Sequence, residues 1–213
     1  MTRLVTFGCS HTFGHGLPDC IVDNNFPGLY PSKLAWPSLL ATKLNYDLYN
    51  GAMPGMSNFA ILDIIINFKL QPDDLVIVLW SYFERDMIFQ KNGQRHHFRI
   101  GKSNTLFFKK IIDSWLDIHN ETDIRMRSWY YMHHAHLYLK STVKNYYFLH
   151  VNNEKTFWDL QPNFGKEINF LPVYFGELLE KYPRAGDGKH GGAECHTEFA
   201  NQLFEEITKP KIV

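Results

Sequence analysis

A serine near one end of the sequence, and an acid and a histidine near the other, have the types and spacing of a hydrolytic site. Ser10 follows the apolar run at residues 4–7 after a glycine and a cysteine. Asp187 and His190 are three residues apart, so one turn of chain can place the carboxylate against Nδ1 of the imidazole. The pattern predicts Ser10 as nucleophile, His190 as general base and Asp187 as orienting carboxylate.

A second glycine-rich turn, at residues 51–55, supplies candidate donors for the oxyanion of an acyl-transfer intermediate. Gly55 has no Cβ, so its backbone N–H can approach a developing charge closely, beside the Ser10 amide. Asn58 is our candidate for an additional side-chain donor, and Ser81 is the second choice. Turn glycines and helix caps are the competing structural interpretations of Gly55 and Asn58.

The surrounding elements alternate between strands and helices. Residues 74–80 form a continuous apolar and β-branched run, typical of a central parallel strand covered on both faces. Further strands are predicted at about 3–8, 46–50 and 145–151, and helices at about 31–44, from 57, at 173–181 and at 193–207. The alternation predicts a three-layer α/β/α sandwich with a mainly parallel sheet and ligands at the carboxyl ends of the strands.

The segment at about 83–144 has a different composition, rich in histidine and aromatic residues. We expect it to form a helical cap or insertion, with helices at about 104–119 and 123–141. No repeat or linker divides the sequence, so residues 1–213 are expected to form one domain.

Three segments resemble the conserved blocks of the GDSL/SGNH hydrolase superfamily. They are Phe-Gly-Cys-Ser at 7–10, Asn-Gly-Ala-Met-Pro-Gly at 50–55 and Asp-Gly-Lys-His at 187–190. The resemblance implies a flavodoxin-like fold, a triad of Ser10, Asp187 and His190, and an oxyanion hole containing Gly55 and the Ser10 amide. Cys9 replaces the usual Asp, Gly191 replaces a common Pro, and residues 79–85 lack the Gly-x-Asn-Asp of the third block.

Composition limits the classes of partner. The 213 residues are 45% hydrophobic and carry 22 Lys and Arg against 22 Asp and Glu, so no net charge favours nucleic acid or a membrane surface. No charged leader with a long apolar segment is seen at the start, and we expect a cytoplasmic protein. The three cysteines, Cys9, Cys20 and Cys195, are expected to be free thiols.

Two groups of residues have an alternative interpretation as metal sites. One has the ligand types of tetrahedral zinc and comprises Cys9, His11, His15 and Cys20. The serine turn explains the same segment better, so we expect no metal and no cofactor. The other group, His133, His134 and His136, lacks an acidic partner at ligand spacing, which favours packing or surface roles. His196 is expected to be structural.

Aromatic and basic residues of the 83–144 segment could contact a substrate. The aromatic group is Trp129, Tyr130, Tyr131 and Tyr138, and its spacing favours the core of a helix over a substrate platform. Arg85, Arg125 and Arg127 could bind a carboxylate or phosphate, although salt bridges are the commoner role.

The sequence therefore predicts a serine hydrolase of carboxylic esters, acting on a small-molecule or carbohydrate ester. O-deacetylation of a carbohydrate is one such reaction, and an acyltransferase would use the same groups. The alternative from another class is a catalytically degenerate carbohydrate-binding or assembly protein on the same fold.

Overall fold

A four-stranded parallel sheet forms the centre of the molecule. The computed structural model describes residues 2–23, 26–89, 91–99, 110, 113–114, 117, 119–153 and 155–210. The sheet strands are β1 (Arg3–Gly8), β4 (Asp47–Asn50), β5 (Leu75–Trp80) and β8 (Asn145–His150). Their spatial order is β4-β1-β5-β8, and every pairing is parallel.

Helices connect these strands. They are α1 (Ser10–Phe13), α2 (Trp36–Leu44), α3 (Asn58–Asn67), α4 (Glu121–Thr142), α5 (Lys155–Trp158), α6 (Phe175–Lys181) and α7 (Ala193–Thr208), with a 3₁₀ helix at Asn163–Glu167. Helix α2 begins at Trp36 rather than near residue 31. Pro37 in its first turn explains this start, because proline lacks the amide that an interior helical position would need.

Both faces of the sheet are covered, which confirms the three-layer architecture. All six residues of β5 are buried. One face, including Val76 and Val78, packs in a core with α3 and α4. The other, including Ile77 and Leu79, packs in a second core with α2, α6 and α7. The period of two along a strand sends alternate side chains to the two cores.

The 83–144 segment differs from the predicted helical cap. Its described part begins with an antiparallel hairpin of β6 (Arg85–Phe89) and β7 (Arg95–Arg99). Helix α4 follows and packs in the core beside α3, with Trp129 fully buried, so it belongs to one layer of the sandwich. The helix predicted at 104–119 falls largely on residues outside the described ranges.

A short antiparallel pair of strands lies between α1 and α2. Its strands are β2 (Ile21–Asp23) and β3 (Phe26–Pro27). The three cysteines are free thiols, as predicted, and all three are buried. Within the described ranges, no helix combines the length and apolarity needed to cross a bilayer.

Candidate active site

Ser10 is the first residue of α1, and Cys9 alone separates it from β1. The close approach of this short helix to the strand requires Gly8, because a Cβ there would lie 2.2 Å from Thr12 Oγ1. The first amides of a helix have no acceptor within the helix, so the Ser10 amide is available to an anion. Ser10 Oγ is buried and has no hydrogen-bond partner among the described residues.

Asp187 and His190 lie together in the loop that precedes α7. His190 Nδ1 lies 2.5 Å from Asp187 Oδ2, and the His190 amide donates to Asp187 Oδ1 at 3.0 Å. The loop is closed by a bridge between Arg184 and Gly191 and by a hydrogen bond from the Ala185 amide to the His190 carbonyl at 2.8 Å. The carboxylate is therefore fixed on Nδ1, which leaves Nε2 for proton transfer.

The Asp187 carboxylate is stabilised in its ionised form. Burial raises its pKa, but hydrogen bonds from the His190 amide, the His190 ring and the Lys189 amide outweigh that effect and lower the pKa to about 2. An ionised Asp187 can hold His190 in one tautomer and stabilise the imidazolium that forms when His190 accepts a proton.

The segment that begins with Ser10 contacts this loop directly. The Gly186 amide donates to the Gly16 carbonyl at 3.2 Å. Gly16 has a φ of +91°, and a Cβ there would lie 2.9 Å from Asp187 Cγ and from Ala185 Cβ. The segment that begins with Ser10 and the loop of Asp187 and His190 are therefore in contact, although they lie near opposite ends of the sequence.

Three imidazole rings meet at this contact. The His15 ring stacks on that of His190 with centroids 4.6 Å apart and planes inclined by 22°. The His11 ring meets His190 edge-on at 5.4 Å. His11 Nε2 also shares a 3.1 Å hydrogen bond with the Tyr82 hydroxyl. His190 is therefore held by ring contacts as well as by Asp187.

The two neighbouring histidines favour their neutral forms. Burial lowers the pKa of His11 well below its usual value, and the nearby charges of His190, His196, Arg85 and Arg184 act in the same direction. Burial and the charge of His190 also lower the pKa of His15. A neutral pair beside His190 avoids repulsion when that ring becomes positively charged.

Gly55 lies in the turn that follows β4 and has an open approach to its amide. Its φ is +81°, a Cβ there would have no neighbour within 4 Å, and its amide donates to no group in the described part of the chain. Asn50 fixes this turn relative to α1, since Nδ2 donates to the Thr12 carbonyl at 2.9 Å and Oδ1 accepts from the Ala52 amide at 3.1 Å.

Asn58 is placed differently from the predicted side-chain donor. Its side chain is fully buried, Oδ1 accepts from the Ser81 amide at 2.8 Å, and Nδ2 donates to Ser128 Oγ at 3.1 Å. Ser57, not Asn58, caps α3 by accepting from the Ala60 amide. Asn58 therefore links α3 to the residue that follows β5 and to α4.

Comparison with solved structures defines the fold around this site. An acetyl xylan esterase from the rumen bacterium Butyrivibrio proteoclasticus superposes with a TM-score of 0.63 at 13% identity, over 96% of this chain and 63% of that one. A carbohydrate esterase whose active site displays divergent catalytic and non-catalytic binding functions gives 0.62 at 11% identity, over 99% and 65%. A lipolytic protein of the G-D-S-L family from Veillonella parvula gives 0.54 at 10% identity, over 99% and 100%.

The chain has the GDSL/SGNH hydrolase fold. It spans less than two thirds of the length of the two carbohydrate-active enzymes. No protein-family model matches the sequence, and no curated protein matches it either.

On this GDSL/SGNH fold, the residues of the zinc interpretation do not form one site. In the part of the chain that the structure describes, the one group within metal-ligand reach is His15, Asp187 and His190. Cys20 Sγ instead donates to the Tyr30 carbonyl at 3.9 Å. Only His15 of the four proposed ligands belongs to the group, and its other members are the predicted acid and base.

Most of the other candidates pack away from the three-histidine contact. His136 Nδ1 shares a 2.7 Å hydrogen bond with the Tyr146 hydroxyl, and Trp129 is a core residue. The Nδ1 atom of His196 accepts from the Trp36 amide at 3.1 Å, which agrees with its structural role. Arg125 pairs with Glu121, and Arg127 pairs with Asp123.

The sequence pattern indicated His11 and His15 only as metal ligands and did not predict their contacts with His190. The available signal was their position one and five residues after Ser10. Because the contact depends on how the final loop folds back over α1, spacing within the first segment could not reveal it. Tyr82, the partner of His11, carried no signal of its own.

Proposed function

We propose that this protein is a serine hydrolase of carboxylic esters. The observation that carries the proposal is that His190, paired with Asp187, lies against the turn that begins with Ser10. The buried Ser10 hydroxyl without a hydrogen-bond partner is the remaining group that a triad requires.

In the proposed reaction, Ser10 Oγ attacks the carbonyl carbon of the ester while His190 Nε2 takes the hydroxyl proton. His190 returns that proton to the leaving alkoxide, and the alcohol departs from an acyl-serine. Water then attacks the acyl carbon, His190 accepts its proton, and the carboxylic acid leaves as Ser10 recovers its hydrogen. Ser10 and His190 must close to hydrogen-bond distance when substrate binds, a tightening that empty sites commonly need.

The amides of Ser10 and Gly55 are the proposed oxyanion donors. Gly55 supports this role by its free amide and open surroundings. We assign Asn58 a supporting role, because both ends of its amide already bind protein groups and it is fully buried. Its contact with the Ser81 amide would keep the carboxyl end of β5 in place beside the site.

We further propose a carbohydrate ester as the substrate class, with a short acyl group. The support is the fold shared with an acetyl xylan esterase and a carbohydrate esterase.

The decisive experiment is hydrolysis of 4-nitrophenyl acetate and longer acyl esters by the wild type and by Ser10→Ala, with fluorophosphonate labelling mapped by mass spectrometry. We expect turnover that requires Ser10 and a label on Ser10. Thr12→Ala is a matched control, because Thr12 carries the other buried hydroxyl of α1. Turnover that survives Ser10→Ala, or a label on another residue, would exclude the proposed nucleophile.

The second candidate is a carbohydrate-binding protein that has lost catalysis. The observation in its favour is that Ser10 Oγ makes no hydrogen bond to His190. Glycan binding without turnover or labelling would support this candidate, whereas Ser10-dependent turnover would eliminate it.

A further inference from the structure

Arg85 is a half-buried cation without an anionic partner. It follows β5 by a short turn, and its Nη1 donates to Ser81 Oγ at 3.3 Å. No carboxylate within the described residues lies within salt-bridge distance of it. In contrast, Arg125 and Arg127 both have carboxylate partners. Of the three arginines for which the sequence left anion binding open, Arg85 is therefore the one with no carboxylate partner among the described residues.

Arg99 adds a second positive charge at the same place. The two arginines face each other as register partners at the open end of the β6–β7 hairpin. Both guanidinium groups lie over the Tyr82 ring, with Arg85 Cζ at 5.2 Å and Arg99 Cζ at 5.6 Å from its centroid. Like charges directly opposite each other destabilise a strand pair. A bound anion would relieve the repulsion that remains between the two arginines after their contacts with Tyr82.

One carboxylate only partly offsets this pair. Glu84 Oε1 approaches Arg99 Nη2 at 3.7 Å, and this ion pair does not include Arg85. The excess of one positive charge is local, because the sequence as a whole has equal numbers of acidic and basic residues. Overall neutrality therefore says little about the charge of a group bound at this position.

Tyr82 connects the arginine pair to the candidate active site. Its hydroxyl shares a hydrogen bond with His11, whose ring contacts His190. The charge of Arg85 is close enough to His11 to contribute to lowering its pKa, after burial and the other histidines. A series of contacts through the rings of His11 and Tyr82 therefore joins His190 to Arg85.

We infer that Arg85 and Arg99 form a subsite for an anionic oxygen group of the substrate, carried on either the acyl or the alcohol side of the ester. This inference rests on the proposed ester hydrolysis for its location and narrows the substrate to esters bearing a carboxylate or a similar anion. Guanidinium groups suit such ligands because they donate paired N–H groups in a planar arrangement.

Two pairs of esters test the subsite, each pair differing in charge at nearly constant shape. For the alcohol side, the pair is 4-acetoxybenzoate and 4-acetoxybenzamide. For the acyl side, it is mono-4-nitrophenyl adipate and 4-nitrophenyl hexanoate, with enzyme-free hydrolysis subtracted. In at least one pair, we expect the wild type to prefer the anion by about tenfold or more in kcat/KM, as charged hydrogen bonds permit. The preference should fall in 1 M salt.

Arg85→Gln should remove most of that preference, whereas Arg95→Gln should leave it intact. Arg95 is a matched control, because it lies in the same hairpin but pairs with Asp63. Equal rates for charged and neutral esters in both pairs would overturn the inference. The inference would also be overturned if Arg85→Gln lowers kcat/KM for the charged and the neutral esters by the same factor.

A binding measurement separates this inference from the proposed function. Calorimetric titration of 4-acetoxybenzoate and mono-4-nitrophenyl adipate into Ser10→Ala, with and without Arg85→Gln, needs no turnover. Binding of either anion that weakens about tenfold in the double variant would support the subsite even if no ester is hydrolysed. If no ester is hydrolysed and Arg85→Gln weakens the binding of neither anion, the subsite is overturned.

Discussion

His190 depends on contacts from several sides, and each can be tested by a single substitution. Asp187 binds Nδ1, His15 covers one face of the ring, and His11 meets it edge-on. These contacts act on different parts of the imidazole, so none of them can compensate for the loss of another. Substitutions should therefore give distinct losses of activity.

Asp187→Asn should lower the activity, and it should lower the free energy of unfolding by an amount that depends on pH. The folded-state pKa of about 2 lies below the usual 3.8, so ionised Asp187 stabilises the fold above about pH 4. That contribution, about 2 kcal/mol, is lost as pH falls through 2. Urea unfolding should show wild type more stable than Asp187→Asn at pH 7, with the difference shrinking below pH 3. We also expect kcat to fall about 10³-fold or more.

The control is Asp73→Asn, which removes an exposed carboxylate paired with Lys144. Exposed pairs are screened by solvent, so this change should have little effect on stability or activity. A stability difference for Asp187→Asn that persists unchanged to pH 2 would show that its ionisation is not the source.

Removing the His15 ring should reduce activity without changing the chemistry. We expect His15→Ala to lower kcat about fivefold. A stacked ring pair has an interaction energy of about 1 kcal/mol, and this interaction would hold His190 in its orientation. His15→Phe keeps a flat ring against His190 and should retain most of the activity. Steady-state kinetics with thermal melts for both variants measure this. If Phe and Ala variants lose equal activity, stacking is not the role of His15.

At the scale of elements, strands and helices with strong apolar patterns were predictable, and their long-range contacts were not. The run at 74–80 predicted β5 because every side chain in it is buried. The β6–β7 hairpin was missed because its strands are rich in charge and histidine, although Asn92-Gly93 between them is a strong hairpin signal. The placement of Asn58 required the position of Ser128 on α4, which no local pattern contains.

A substitution at Gly16 can test the contact between the α1 segment and the loop that precedes α7. Gly16→Ala must adopt a φ of +91° and place a Cβ 2.9 Å from Asp187 and Ala185. Gly93→Ala, at a φ of +79° in the hairpin, meets no atom within 4 Å. Both should lose about 1–2 kcal/mol of stability from the backbone conformation. Only Gly16→Ala should also lower kcat, by about tenfold or more, because it displaces the carboxylate. Equal kcat values for both variants would contradict this contact.

At the scale of the whole molecule, two cores separated by the sheet have unequal connections to the site. Phe199 lies in the core with α2, α6 and α7, and its ring contacts Phe175 at 5.0 Å. Phe175 in turn contacts His11 at 4.9 Å. Phe148 lies in the opposite core, against Trp80 at 5.3 Å. Among the described residues, a chain of ring contacts therefore runs from the first core to His11, and Phe148 has no direct contact with that chain.

Phe199→Ala and Phe148→Ala should reveal that asymmetry. Each removes a fully buried ring, and each should cost about 3–5 kcal/mol of unfolding free energy. At a temperature where both variants remain folded, Phe199→Ala should lower kcat and Phe148→Ala should not. Chemical denaturation combined with kinetics measures both quantities. Similar kcat losses in the two variants would mean that the cores are coupled to the site equally.

The contact between Gly186 and Gly16 also has a consequence for how the active protein comes into being. It joins segments near opposite ends of the described chain, so forming it costs the entropy of closing a long loop. Non-local contacts of this kind form slowly compared with helices and neighbouring strands. During refolding, secondary structure should therefore return before ester hydrolysis does. For a time, the chain should contain its helices and sheet but show no activity.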